Sequence, residues 1–161
     1  SNNAGVAETG GFLSEDAEGM LRRQLETNLF GPLKLSRAFA PVLAANGGGG
    51  IINVLSIASW ITGPLLATYS ATKSAAWSLT NALRQELSAQ QTHVLGLHVG
   101  FIDTDLTNGM DVPKIAPNVV AERTFDGLEQ NAHQVLADEA TQQVHQALSN
   151  HPDIYLHAIN H

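Results

Sequence analysis

Tyr69 and Lys73 are the two residues whose types and spacing point most directly to chemistry. They stand four positions apart in the segment Tyr-Ser-Ala-Thr-Lys, inside a run that predicts a helix. Because positions i and i+4 share a helix face, the Lys73 ammonium should lie beside the Tyr69 phenol. A tyrosine with a pKa of ~10 needs a drop of about three units, or ~4 kcal/mol, to exchange protons near neutral pH, and a charge ~4 Å away at an effective dielectric of ~20 supplies about that amount. The spacing therefore predicts that Lys73 lowers the pKa of Tyr69 and makes it a proton shuttle.

Ser56 adds a hydroxyl that can hold a carbonyl oxygen. It stands thirteen positions before Tyr69, at the end of an apolar run that predicts a strand inside a parallel sheet. Two other interpretations are open for these residues. A Tyr-x-x-x-Lys pair alone is typical of a solvated helix face, and Ser56 with Lys73 is the residue pair of a serine–lysine hydrolase. No glycine-flanked nucleophile elbow surrounds Ser56, and the hydrolase interpretation leaves Tyr69 without a role.

Four other segments accompany this pair in a fixed order. With Tyr69–Lys73 they make the chain resemble the classical short-chain dehydrogenase/reductase family over nearly its whole length, fading after Ser149. The resemblance implies an α/β fold, a Rossmann-like doubly wound parallel sheet, and NAD or NADP as cofactor. The segments are Asn2-Asn3-Ala4-Gly5, Glu26-Thr27-Asn28-Leu29-Phe30-Gly31, Ile51-Ile52-Asn53-Val54-Leu55-Ser56 and Val99-Gly100-Phe101-Ile102-Asp103-Thr104-Asp105.

The resemblance also implies a catalytic role for each of four residues. Tyr69 is expected to protonate a carbonyl oxygen or to take the proton of an alcohol. Lys73 is expected to lower the pKa of that tyrosine and to bind the nicotinamide ribose hydroxyls. Ser56 is expected to orient the reacting oxygen. Asn28 matches the helix asparagine whose backbone holds a water that links Lys73 to solvent.

Further positions match cofactor contacts of the family. Asn3, Ala4 and Gly5 resemble the turn beside the cofactor ribose, where glycine allows close approach; the alternative is an ordinary turn. Ile102 and Thr104 match the residues that hold the nicotinamide carboxamide, the first by its backbone amide and the second by its hydroxyl. An oxidoreductase acting on a small-molecule alcohol or carbonyl is the activity that these matches imply.

A segment expected of this family is missing from the sequence. There is no Thr-Gly-x-x-x-Gly-x-Gly turn between a strand and a helix, the element that holds the dinucleotide pyrophosphate. The cluster Gly47–Gly50 precedes a strand and predicts a flexible connection. We therefore expect residues 1–161 to be the C-terminal part of one Rossmann-like domain, truncated on its N-terminal side, with a tail from about 150 to 161 unassigned. The strand at Ile51 would then be an exposed edge.

The composition fits one globular domain. Of 161 residues 43% are hydrophobic, enough for a core, and the net charge of −7 argues against nucleic acid as a partner. There are no cysteines, and the histidines, among them His157 and His161, lack the carboxylate pattern of a metal site, so we predict no metal. No apolar run is long enough for a bilayer and no signal peptide is visible, so we expect a cytoplasmic protein without a membrane partner.

Alternating helices and strands predict a parallel sheet with one core. Helices are predicted at 15–27, 30–45, 67–90, 119–130 and 138–148; strands are predicted at 51–56, 93–99 and 133–136; and loops are predicted at 3–14, 58–66 and 103–118.

Two questions about function stay open. The long helices around Leu21–Ala45 and Ala67–Gln90 match those that the family packs across subunits, so we expect a homodimer or homotetramer. The competing hypothesis is a catalytically inactive fragment or self-association module that binds no nucleotide.

An apolar substrate pocket has four candidate residues, with ordinary packing as the alternative: Ile57, Trp60, Leu66 and Met110.

Overall fold

The structure, a computed structural model, describes residues 1–2, 5–100, 109 and 111–157. Several positions singled out by the sequence lie outside the described residues: Asn3, Ala4, Ile102, Thr104, Met110 and His161. The cofactor contacts predicted for the first four therefore stay predictions.

A parallel sheet of three strands forms the centre of the described part. The strands are β1 (Gly49–Ser56), β2 (Thr92–Val99) and β3 (Gln134–Leu136), in the order β1-β2-β3. The register pairs Gly49 with Thr92 and Ser56 with Val99, so β1 and β2 end at the same edge. The α/β class and the parallel sheet predicted from the alternating pattern are confirmed.

Helices cover both faces of this sheet. Two apolar clusters result: one contains Leu95 and Leu97 of β2, and the other contains Ile51 and Val94. None of the described helices is both long enough and apolar enough to cross a membrane. The helices are α1 (Ala17–Leu25), α2 (Gly31–Ala45), α3 (Ala67–Glu86), α4 (Pro117–Glu129), α5 (Glu139–Asn150) and α6 (Asp153–Leu156).

The observed boundaries differ from the predicted ones in three informative places. The break expected between Thr27 and Phe30 is a π-helical turn, Glu26–Phe30, that joins α1 to α2 without interruption. The long helix predicted to Gln90 ends as α3 at Glu86 and is followed by a 3₁₀ turn, Ser88–Gln90. The strand β1 begins at Gly49, so two residues of the glycine cluster belong to the sheet.

The outer edge of β1 is largely open within the described residues. Asn2 alone pairs with it, donating its N–H to Ile52 O at 2.7 Å and accepting from Val54 N at 3.2 Å. Beyond Asn2 the edge borders a groove of about 280 Å³ that includes the side chains of Leu35 and Phe39. Within the described residues the backbone edge of β1 is therefore open on the Gly50 side of Asn2, while the side chains of Ile51 and Leu55 are buried.

Candidate catalytic site

Ser56 and Tyr69 meet where β1 ends and α3 begins. Ser56 is the last residue of β1, and its Oγ accepts a hydrogen bond from Ala58 N at 3.0 Å. The Ser59 side chain accepts from Ser56 N at 3.3 Å, which completes a capping box for a short 3₁₀ turn. These two bonds fix the hydroxyl at the carboxyl edge of the sheet, the place where open α/β sheets bind their ligands.

Tyr69 differs from its prediction in the direction of its pKa. The pKa of the Tyr69 phenol is raised, because burial penalises the phenolate; the hydrogen bond with the Ser56 side chain opposes this and lowers it. The prediction that this chain holds Tyr69 at a lowered pKa is therefore wrong. The four-residue spacing accounted for the neighbouring charge and left out the cost of removing the phenol from water.

Lys73 is itself buried, which explains why its charge does not lower the pKa of Tyr69 overall. Its side chain is 6% exposed, and burial lowers the pKa of Lys73 to about 8. The ammonium donates to Val54 O at 3.3 Å and lies 5.8 Å from the centroid of the Tyr69 ring. Lysine and tyrosine do share one helix face, as predicted, and burial disfavours the charged form of each, although a pKa of about 8 keeps Lys73 mostly protonated at pH 7.

Lys73 keeps hydrogen-bonding capacity that a polar ligand could use. An ammonium has three protons to donate, and among the described residues Lys73 has a single hydrogen bond, to Val54 O. Gly5 stands directly over it: a side chain at this position would begin 3.7 Å from both Lys73 Nζ and Asn28 Oδ1. Glycine thus lets the backbone of the N-terminal segment lie close to the Lys73 ammonium and the Asn28 amide oxygen.

Asn28 lies in the π-helical turn and is 1% exposed. Its side chain holds the N-terminal segment and α3 together: it donates to Val6 O and accepts from Val6 N, both at 2.9 Å, and it donates to Thr72 Oγ1 at 3.0 Å. The usual α-helical bond to the Asn28 carbonyl cannot form, because the residue four positions later is Pro32, which has no N–H. A π turn followed by proline is a local arrangement that frees this carbonyl.

Several polar residues around the site escaped the sequence-based reasoning. Gln24, Thr68 and Thr80 are fully buried and hydrogen-bonded. One signal was available: threonines recur at positions 68, 72 and 80 of the predicted helix, which places them on one face. A polar stripe on a buried face requires partners, and the sequence alone does not say which residues supply them.

Trp60, a candidate for the substrate pocket, packs into an aromatic cluster. Its ring stacks on His98 at a centroid distance of 4.1 Å and meets the edge of Trp77 at 6.3 Å. Burial lowers the pKa of His98 to about 4. Trp60 also borders a groove of about 320 Å³ that includes Phe12 and Ala71. Its position serves both packing and a groove, so its role as a pocket residue stays a prediction.

No group of three or more histidine, aspartate or glutamate side chains close enough to hold a metal ion occurs among the described residues.

Comparison with known proteins gives one consistent family. The family model described as short chain dehydrogenase matches residues 1–113. Dehydrogenase/reductase SDR family member 7B of Xenopus tropicalis is 33% identical over 106 residues, which are 66% of this chain and 34% of that protein. Probable oxidoreductase EphD of Mycobacterium tuberculosis (strain ATCC 25618 / H37Rv) is 36% identical over 115 residues, which are 70% of this chain and 19% of that protein.

A solved structure extends the similarity to most of the chain. The crystal structure of a short chain dehydrogenase from Burkholderia cenocepacia J2315 in complex with NADP superposes with a TM-score of 0.87 at 34% identity. The match covers 94% of this chain and 63% of that one. The chain thus spans about a third or less of the two curated relatives and less than two thirds of this structural neighbour.

Proposed function

The chain belongs to the short-chain dehydrogenase family, and on that premise we propose that it is the catalytic part of an NAD(P)(H)-dependent oxidoreductase. The proposed reaction interconverts a small-molecule alcohol and a carbonyl compound. Residues 1–161 are proposed to form the C-terminal part of a single Rossmann-like domain. The observation that carries this proposal is the meeting of Ser56, Tyr69 and Lys73 at the carboxyl edge of the sheet.

Tyr69 is proposed as the proton donor and acceptor. A raised pKa keeps the phenol protonated at neutral pH, which is the form required to donate a proton to a carbonyl oxygen. The Ser56 hydroxyl, fixed by its bond from Ala58 N, orients that oxygen next to the phenol. In the oxidising direction the same two groups hold the alcohol, and Tyr69 must first be in its phenolate form to take the alcohol's proton and become the phenol.

Lys73 is proposed to stabilise the phenolate that forms when Tyr69 gives up its proton. Its ammonium lies on the ring side of the tyrosine and has donors to spare for ribose hydroxyls under Gly5. A bound nicotinamide dinucleotide supplies or accepts the hydride. The Asn28 side chain is held by Val6 and Thr72, and its backbone carbonyl is proposed to hold a water that links Lys73 to solvent.

The proposal that the cofactor is NAD or NADP is supported by the family and by the NADP bound in the similar Burkholderia structure. Asn3, Ala4, Ile102 and Thr104 are proposed as further cofactor contacts by their match to the family motifs. The remaining cofactor surface is proposed to come from a dinucleotide-binding half of the kind that these relatives carry.

The experiment that tests the proposal is the substitution Tyr69→Phe in a protein that joins this chain to such a half. Loss of the phenolic proton should lower turnover by about 10²- to 10⁴-fold, the range typical for a general acid–base residue, while cofactor affinity measured by fluorescence titration stays nearly unchanged. Tyr155→Phe, which removes the other tyrosine of the chain, is the matched control and should keep full turnover. Full activity of Tyr69→Phe would refute the proton-transfer role.

A second candidate function is a self-association module without nucleotide binding. The open edge of β1 beside an apolar groove favours it, because such edges pair with other strands. One titration with reduced cofactor distinguishes the two candidate functions. In the protein that joins this chain to a dinucleotide-binding half, saturable binding of reduced cofactor excludes the module, whereas association without any cofactor binding excludes the enzyme.

A further inference from the structure

Three buried carboxamides connect the N-terminal segment to helix α3 in the same way. Asn53, Asn28 and Gln24 each bind backbone or side-chain atoms of the N-terminal segment on one side and a threonine of α3 on the other. The exposures of the three carboxamides are 3%, 1% and 0%. The bonds to the segment go to Asn2, Val6 and Glu8, and the bonds to the helix go to Thr80, Thr72 and Thr68.

Gln24 occupies the end of this row that binds the first turn of α3. Its Oε1 accepts from Glu8 N at 3.0 Å, and its Nε2 donates to Thr68 Oγ1 at 2.9 Å and to Met20 O at 3.2 Å. Three of its four hydrogen-bonding positions are therefore used although the side chain has no contact with solvent. Thr68 directly precedes Tyr69 in the chain.

The first turn of α3 needs such an anchor. The helix begins at Ala67, and the residue before it, Leu66, offers no side-chain cap. Helix ends without a cap fray readily, and Tyr69 lies in this first turn. The Gln24–Thr68 bond ties the turn to α1 through a fully buried side chain. Glu8 and Gly10 tie the N-terminal segment to the same region, Gly10 by donating to Leu65 O at 2.8 Å.

We infer that Gln24 is a positioning residue for Tyr69, acting through its buried hydrogen bond to Thr68. Its consequence for turnover rests on the proposed function, but the placement of the tyrosine does not. The resemblance to the family implies a role for the neighbouring Asn28, whereas Gln24 stands one helical turn before it and, among the described residues, has no hydrogen bond to Lys73 or to Tyr69.

The Asn53–Thr80 pair provides an internal control for this inference. It has the same chemistry: Asn53 Nδ2 donates to Thr80 Oγ1 at 3.1 Å, and both side chains are buried. It lies eleven residues, or about three helical turns, beyond Tyr69 on α3. Removing either threonine hydroxyl should therefore weaken the fold to a similar extent, while only one of the two removals should disturb the tyrosine.

The test is NMR of the 161-residue chain labelled with ¹³C at the tyrosine ring carbon that bears the hydroxyl. Only Tyr69 and Tyr155 give signals, and Tyr155→Phe assigns them. Thr68→Val should shift or broaden the Tyr69 signal and speed amide exchange in the first turn of α3 by roughly fivefold to tenfold, the factor expected from losing one buried hydrogen bond. Thr68→Ser should restore both, and Thr80→Val should change neither.

An unchanged Tyr69 signal in Thr68→Val, or an equal change in Thr80→Val, would overturn the inference. Should Thr68→Val fail to fold, the unsubstituted protein provides the second measurement: the side-chain amide protons of Gln24 should exchange slowly and show a nuclear Overhauser effect to Thr68. Fast exchange with solvent there would overturn the inference as well. Neither readout depends on oxidoreductase activity, so failure of the proposed function leaves both interpretable.

Discussion

At the scale of single residues, Lys73 has the property with the clearest consequence in solution. Its pKa is lowered to about 8 in the folded chain by burial, against an ordinary value of 10.5. Between these values the unfolded chain holds a proton that the folded chain has released. Raising the pH through this window therefore favours the folded state.

We predict that the free energy of unfolding rises by about 2 kcal/mol between pH 8 and pH 10 because of this one residue. Below pH 8 both states hold the proton and this contribution is constant. Urea unfolding at several pH values measures the effect, and Lys73→Met should abolish it. Lys34→Met, which removes an exposed lysine, should leave it intact.

A flat profile in the unsubstituted protein would show that Lys73 keeps an ordinary pKa. The window is free of interference from His98, whose lowered pKa of about 4 makes stability rise with pH between about 4 and 6.5 instead. The raised pKa of Tyr69 acts in the opposite direction, but only above pH 10.

The sequence predicted which residues meet at the site better than it predicted their protonation states. The spacing of Tyr69 and Lys73 predicted a shared helix face, and the position of Ser56 predicted a hydroxyl at the strand end; both are present. The predicted direction of the Tyr69 pKa shift was wrong, because the burial that raises this pKa depends on tertiary packing. Gln24 was missed for a similar reason, since its partner Thr68 is 44 residues away.

At the scale of elements, the π turn between α1 and α2 is the feature with the most specific cause. Pro32 cannot donate to the Asn28 carbonyl, and Gly31 N–H bonds Glu26 O, five residues earlier, in the π pattern. The sequence predicted only that helix 15–27 ends and another begins near Phe30. A continuous helix with a wider turn was not foreseen, because proline usually indicates a break.

We predict that in Pro32→Ala the Asn28 carbonyl accepts a helical hydrogen bond. The substitution supplies an N–H four residues after Asn28, and the new amide should be protected from hydrogen exchange by bonding to the Asn28 carbonyl. In the joined protein used to test the proposed function, the same change should lower turnover, because the proton path proposed at that carbonyl is then blocked. Hydrogen exchange followed by NMR reads out the amide directly.

Pro41→Ala, in the interior of the same helix α2, is the control. It adds an N–H opposite the Arg37 carbonyl and should stabilise the helix, since an internal proline costs about 3 kcal/mol, without any effect on turnover. If the new amide at position 32 exchanges as fast as an unprotected one, the carbonyl is not available to it and the prediction fails.

At the scale of the whole molecule, the alternating pattern predicted the parallel sheet, its strand order in the chain and its open edge. The pattern did not determine which backbone groups along that edge are already hydrogen-bonded. Gly49 N bonds Gln91 O on the β2 side, and Asn2 bonds Ile52 O and Val54 N on the other side. Because backbone groups alternate along a strand, Gly50 directs its N–H and C=O toward the open edge beside the groove.

We predict that the isolated chain associates with copies of itself through this edge. The groove adds apolar surface to the unpaired backbone: Phe39, 54% exposed, borders it together with Leu35, so a second strand would gain hydrogen bonds and burial at once. Sedimentation velocity at increasing protein concentration should show a rising sedimentation coefficient in the unsubstituted chain. Phe39→Lys should suppress the rise, because it places a charge in the groove.

Phe125→Lys is the matched control for this experiment, since Phe125 is exposed to a similar extent, 64%, but lies on α4 rather than beside the groove. It removes the same apolar area and adds the same charge, so it should associate like the unsubstituted chain if the β1 edge is the contact. Equal suppression by both substitutions would assign the association to net charge or general hydrophobicity. A sedimentation coefficient that stays constant with concentration would show that Asn2 and the twist of the sheet already protect the edge.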